Sequence, residues 1–354
     1  MPYLPIYLLA ALAAFAFRRS PRTGKTLYPV LLVFFFIVTA FRFEVGCDWV
    51  GYLVQYKYDI AFEAQDAPTR DPLWWWYLRT FRTLGLPYPW LNIVPTIVFF
   101  AGAHALARRQ PDRFAFLVLL WPVLIINIAM SGLRQAAAIG IVCFAFNAFV
   151  ERRVVVFTLL VLLASTIHSS AIGFLLLVPL VTGNYSRSRL ALAALLALPG
   201  AALIVSSSAG EIAVNRYVST GTDATGAAFR VALLAMSGVA FFALLRRPWL
   251  ATHAADYKLM SIGSLGMIGL VALLPLSTVI ADRLGYYLVP VQAIMLARIP
   301  VLPLIRFRTF YVLGAYAALG MTLAVWVLFS DHFQQCYVPY RIWLFGMPQT
   351  RYGI

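Results

Sequence analysis

The chain has 354 residues, of which 62% are hydrophobic and only 12% charged, with a formal net charge of +15. Soluble domains run near a quarter charged, so a water-soluble core is excluded and a polytopic membrane protein is expected. In that setting the basic excess belongs to cytoplasmic loops, not to a nucleic-acid site.

Apolar runs predict spans near 3–17, 27–41, 89–107, 114–130, 132–150, 154–182, 190–206, 227–245, 257–280, 284–299 and 309–329. The first run ends in RRSPRTGK and carries no small-residue cleavage site, so it reads as a span and not as a signal peptide. Run 154–182 is too long for one crossing, and His168 lies near its middle among Ser165, Thr166, Ser169 and Ser170. Two short helices meeting at a polar break fit it better than one tilted helix, because irregular backbone at depth needs a protein or water lining. The reading is an all-α, polytopic integral membrane protein of about 11–13 transmembrane helices, including that broken or re-entrant pair. No internal repeat or low-complexity linker divides it, so residues 1–354 form one membrane domain.

Counting Lys and Arg orients the chain. With RRSPRTGK inside, alternation of the spans puts RRQPDR, ERR, NYSRSR, RRPWLATHAADYK and RIPVLPLIRFR on the same side. Asp112, Glu151 and Asp256 are the only acids there. Both termini then lie outside, with an outer loop at 42–88, a second at 207–226 and an outer tail at 330–354. Between the first two spans and the third, RDPLWWWYLRTFRTLG carries Asp71 as a cap, Pro72 at the first helical position and three tryptophans. It predicts an interfacial amphipathic helix over 71–84.

The residues that look chemical all fall on the outer side. Arg134 follows Ser131, a good N-cap, and sits in the first turn of a span, where a helix dipole repels a cation. Its placement suits an anion held between the guanidinium and backbone N–H groups; the plainer role is snorkelling to lipid phosphate. Asp282 and Arg283 repeat the arrangement, and Arg42 offers a third guanidinium. Arg134 and Arg283, at two outward helix starts, suggest a diphosphate or an acidic group, whose oxygens match the guanidinium fork, and Arg42 is a further candidate for the diphosphate. His168 is an intramembrane titratable group, either a base for a hydroxyl or a structural histidine bonded to a neighbouring Ser. Asp48 is either a helix cap or, with Glu44, a group for substrate. Arg216, Tyr217, Asp282 and Tyr340 are weaker candidates for glycan contact. No Cys/His ligand spacing or nucleotide-binding motif is read, and no cofactor is expected. Cys47 and Cys336 both face outward, either as free thiols or as a disulfide, whereas Cys143 lies within a span.

The stretches FRFEVGCDWVGYLVQY, DPLWWWYLRTFRTLG, SGLRQAAAIG, STIHSSAIGFLLLVP, DRLGYYLVP and VPYRIWLF, in this order, resemble the EpsG family of Wzy-like exopolysaccharide and O-antigen polymerases. The resemblance runs over about residues 25–345. It implies a glycosyltransferase of the bacterial inner membrane that joins undecaprenyl-diphosphate-linked oligosaccharide units at the outer face. The implied partners are the lipid-linked donor and acceptor, the lipid bilayer and a chain-length regulator, with no nucleic acid. Arg134 and Arg283 would hold the diphosphate, and His168 or Asp48 would activate the acceptor hydroxyl without metal. Two rivals stand beside this reading. One is a polyprenyl-phosphate-sugar glycosyltransferase using Asp48 and Glu44; the other is a lipid-linked glycan transporter.

Overall fold

The computed structural model describes residues 1–58, 71–183, 226–303 and 306–351, with a few isolated positions between 184 and 225. The predicted span at 190–206 and the candidates Arg216 and Tyr217 lie outside the described residues. The chain is all-α: among the described residues the only β pairing is a single antiparallel bridge between Arg42 and Ile342.

Helices α1 (Tyr3–Phe17) and α2 (Pro21–Ala40) are followed by short α3 (Trp49–Tyr58) and α4 (Pro72–Thr83). Then come α5 (Ile93–Ala107), α6 (Arg113–Leu120, continued as a π-helix over Trp121–Ala129), α7 (Leu133–Val150) and α8 (Val154–Ile167). A 3₁₀ stretch (Ser169–Leu177) leads into α9 (Val178–Val181). The remainder is α10 (Ala227–Ala240), α11 (Arg246–Thr252), α12 (Tyr257–Gly269), α13 (Thr278–Arg298), α14 (Arg308–Phe329) and α15 (Asp331–Tyr337). Six helical stretches are long and apolar enough to cross a membrane, and five shorter apolar helices accompany them. This is a multi-pass membrane protein.

Helix α7 is apolar on every side and buries nearly all of its residues, which makes it the centre of the bundle. It lies against α5 at two glycines. A Cβ on Gly102 would run into the carbonyl oxygen of Gly140, and one on Gly140 would meet Phe99 Cα at 2.7 Å. Small residues allow such backbone approach where lipid supplies no hydrophobic drive. Replacing Gly140 with Val should therefore cut recovery of monodisperse protein in detergent several-fold. The matching change at Gly173, which has open space around it, should not. Size-exclusion of fluorescently tagged protein reads the difference.

The basic loops gather at one end of the bundle. Arg109 pairs with Glu151, Arg298 reaches Asp256 at 2.6 Å and Gln110 at 2.8 Å, and Arg18 approaches Thr309. Lys258 donates to the carbonyls of Leu180, Val181 and Gly183 at this same end. Helix α8 starts here, just after Arg153, so the chain leaves the basic end at 154 and is back by 183. The break falls at His168, whose backbone is extended (φ −147°, ψ 111°) between the two short helices. The predicted broken pair is therefore present.

Helix α4 is the predicted amphipathic helix. It buries Trp74 and Leu78 in a cluster with Trp49, Tyr52 and Leu53 of α3, buries Trp75 as well, and leaves Trp76, Arg79 and Arg82 outward. Its first residue departs from expectation, because Asp71 does not cap it.

Candidate active site

At the end opposite the basic loops, the turn after α2 is built around buried charges. Arg42 is 1% exposed and donates to the carbonyls of Thr39 (2.6 Å) and Val45 (3.1 Å). Burial lowers its pKa to about 10, and it remains a cation at neutral pH. Glu44 has a left-handed backbone (φ 51°) and points to the C-terminal tail. There it pairs with Arg341 and accepts from Thr350 Oγ1 (2.7 Å) and the Arg351 amide (2.9 Å). Tyr340 donates to the Val38 carbonyl at 2.8 Å. Glu44 and Tyr340 thus fasten the tail to the end of α2 and the turn after it, while Arg42 braces that turn from within, so the polar groups of all three are engaged inside the protein.

Asp48 differs. It is exposed, and among the described residues its carboxylate forms no hydrogen bond or ion pair. Its amide donates to Ser131 Oγ at 3.2 Å, so Ser131 secures this loop; α7 is instead preceded by Gly132 with no side-chain cap. The loop reaches α7 closely because Gly46, at φ 104°, lies against Met130, where a Cβ would strike the carbonyl.

Arg134, in the first turn of α7, donates to Asp71 Oδ2 at 3.0 Å. The Arg134 side chain is 31% exposed and that of Asp71 only 4%. The guanidinium also meets the phenol of Tyr52, whose pKa burial pushes up against the pull of Arg134. Arg134 Nε is buried and has no partner among the described residues. The left-handed backbone of Asp71 (φ 54°) turns its carboxylate away from α4, and its other oxygen accepts from the Ser169 amide at 2.7 Å. One carboxylate thus joins the head of α7 to the break in the α8 pair. No sequence motif marked Asp71 for this role; it was legible only as a cap.

His168 is 8% exposed, and its Nδ1 lies 2.8 Å from Ser170 Oγ and accepts from the Ser170 amide at 3.4 Å. An amide can only donate, so Nδ1 carries no proton and the neutral ring holds its proton on Nε2. Ser170 Oγ continues to the Tyr287 hydroxyl at 3.1 Å. Gln135 ties the two helix heads together, donating to the Arg283 carbonyl at 2.6 Å.

The pairing of Arg134 with Arg283 as two equivalent first-turn arginines does not hold. Helix α13 starts at Thr278, capped by Ser277, so Asp282 and Arg283 lie in its second turn. Asp282 accepts both arms of Arg230 (2.8 and 2.7 Å) and the Tyr286 hydroxyl (2.8 Å). Arg230 was missed because its partner Asp282 lies 52 residues away in sequence. It borders a cavity of about 500 Å³ walled by Pro122, Phe229, Val325, Trp326 and Phe329, with His332 at its rim.

Cys47 and Cys336 form a disulfide, their Cα atoms 4.8 Å apart across 289 residues of sequence. Gly46 donates to the Cys336 carbonyl at 2.8 Å beside it. Maleimide should modify neither cysteine in the intact protein and both after reduction, whereas buried Cys143 should stay unreactive until the fold opens. Labelling of Cys47 without reductant would disprove the bond.

A multi-pass helical bundle with a cluster of polar and charged groups at the end away from its basic loops is the class of protein these features define. The chain belongs to the EpsG family, whose profile matches residues 25–342. That family is associated with glycosyltransferase-like polymerases. No curated protein and no solved structure matches the chain.

Proposed function

We propose that this protein is a polysaccharide polymerase that joins undecaprenyl-diphosphate-linked oligosaccharide units at the outer face of the bacterial inner membrane. The observation that carries the reading is the head of α7. Arg134 stands there on a buried carboxylate with an unpartnered Nε–H, and the unpaired carboxylate of Asp48 lies across Gly132, its Oδ2 3.7 Å from where a Cβ of that glycine would be. An anion-binding cation and a proton acceptor at one helix start are the two groups that a glycosyl transfer from a diphosphate requires.

In the proposed reaction the acceptor hydroxyl attacks the anomeric carbon and passes its proton to Asp48. The anomeric C–O bond breaks, and the electron pair leaves on the diphosphate, where Arg134 meets the developing charge. A single displacement inverts the anomeric centre. His168, with its proton on Nε2, suits the role of hydrogen-bond donor better than that of base, which favours Asp48 of the two candidates. Gln135 fixes the backbone of Arg283 beside the α7 head, which makes Arg283 the second cation of the proposed site. The apolar cavity below Arg230 has the lining that a polyprenyl chain would accept. The rival that needs Asp48 and Glu44 as an acidic pair loses support, since Glu44 is occupied by the tail.

The cellular test is the fate of the repeat unit. Cells lacking the protein should accumulate single lipid-linked units on the outer side, while accumulation on the inner side would indicate a transporter. Sidedness is tested separately. Tags at 20–24, 109–112 and 185–188 should be cytoplasmic, and tags at 64–68 and 219–224 outside. A cytoplasmic tag at 64–68 would move the α7 head to the wrong face and end the proposal.

A further inference from the structure

Beyond the glycosyl-transfer site, three soft ligand atoms meet where α15 touches the loop after α2. Cys47 Sγ, Cys336 Sγ and His332 Nε2 all lie within 4.8 Å of one another, and the imidazole nitrogen is 3.0 Å from the Cys47 sulfur. His332 and Cys336 stand four residues apart on α15, which puts them on one helix face. Cys47 comes from the other side of the bundle's outer end, so the set is assembled by the fold and has no signature in the sequence. His332 is exposed and both cysteines are half-buried, leaving an open approach from the surface.

We propose that when the Cys47–Cys336 disulfide is reduced, these three residues form a site for a soft or borderline cation, Zn(II) or Cu(I). A disulfide sulfur is a weak acceptor and has little use for an imidazole at this distance, whereas two thiolates and an imidazole are a standard ligand set for these ions. An external dithiol supplies two electrons and two protons, or a phosphine is oxidised to its oxide with water giving the oxygen and both protons; the S–S bond breaks and two thiols form. The cation then displaces two protons as it binds. Around a tetrahedral ion with Zn–S bonds of ~2.3 Å the two sulfurs stand roughly 3.8 Å apart, a separation that side-chain rotation supplies. Water fills the fourth position.

The oxidised and metal-bound forms are therefore two mutually exclusive clasps on the same contact. Each would keep the loop that carries Asp48 fixed to α15, next to the Gly46–Cys336 hydrogen bond. This role does not depend on which reaction the protein performs.

The test uses purified full-length protein in detergent, stripped of metal and either left oxidised or reduced with a phosphine. Co(II) serves as the spectroscopic probe and Zn(II) as its competitor. The reduced protein should bind one Co(II) per chain with a sulfur-to-metal charge-transfer band, and Zn(II) should bleach it. The oxidised protein should show no band. Cys47→Ser and Cys336→Ser should abolish the band, His332→Ala should weaken binding by roughly tenfold or more, and Cys143→Ser should leave it unchanged. Absence of a band in the reduced protein would overturn the proposal. So would a band that survives Cys47→Ser, one unaffected by His332→Ala, or equal binding by the oxidised chain. Elution at the normal position on size-exclusion shows that each variant is folded, so that a lost band reports a lost ligand.

Discussion

Arg134→Lys should lose polymerase activity almost as completely as Arg134→Ala. The guanidinium uses one arm on Asp71 and contacts Tyr52, and its Nε–H stays buried without a partner, a geometry that depends on the planar fork. An ammonium is a point charge that can satisfy Asp71 or the diphosphate but not both in this arrangement. Loss of a transition-state contact of ~3–4 kcal/mol corresponds to roughly a hundred- to a thousandfold in turnover. Arg134→Ala carries a second cost, because it removes an ion-pair partner of the buried Asp71 carboxylate, which still accepts from the Ser169 amide. The double variant Arg134→Ala/Asp71→Asn separates the two effects. It should restore much of the protein recovered from membranes without restoring activity. Asp71→Asn alone should keep a partner for the Ser169 amide but loosen Arg134, giving an intermediate loss. Extension of lipid-linked repeat units, normalised to folded protein, is the measurement. Normal-length polymer from Arg134→Ala at normal abundance would return this residue to a lipid-facing role.

What could be read from the sequence divides along a physical line. Among the described residues the apolar helices, the break at His168 and the amphipathic helix at Pro72–Thr83 were legible because each is written in local composition. Those charged candidates that fall on described residues were legible as belonging to one end of the bundle, since topology alone carries them there. Which of them is available was not legible, because availability depends on partners far away in sequence. Glu44 reads as a substrate-binding partner of Asp48 but is held by Arg341, Thr350 and Arg351. Arg42 reads as a third guanidinium for the diphosphate but binds carbonyls of its own turn. Asp71 preceded a proline in a capping position, and only its left-handed backbone reveals that the carboxylate serves Arg134 and Ser169 instead. Arg230 and Asp282 are 52 residues apart and could be paired only in space. The proximity of Cys47 to Cys336 was open on the sequence as one of two outcomes, and His332 gave no hint that it would join them.

Asp48→Asn should nearly abolish polymer while leaving the lipid-linked donor bound. The substitution keeps the volume and the loop, whose amide bond to Ser131 does not involve the side chain, but removes the proton acceptor. General-base assistance typically contributes about a hundred- to ten-thousandfold, and the loss should fall within that range. His168 supplies the contrast. With Nδ1 accepting from Ser170 and the proton on Nε2, it enters the reaction as a donor, so His168→Ala should cost less than Asp48→Asn. It should also be accompanied by weaker holding of the 168–170 turn against Tyr287. Donor binding and chemistry are separated by loading each variant with labelled lipid-linked donor and then adding acceptor. Asp48→Asn should retain the label but fail to transfer it, and Asp48→Glu should recover part of the rate because a carboxylate is again within reach. Should Asp48→Asn transfer at the normal rate while His168→Ala does not, the proton acceptor would be the histidine, and the ring would have to use the opposite tautomer from the one its Ser170 amide contact dictates.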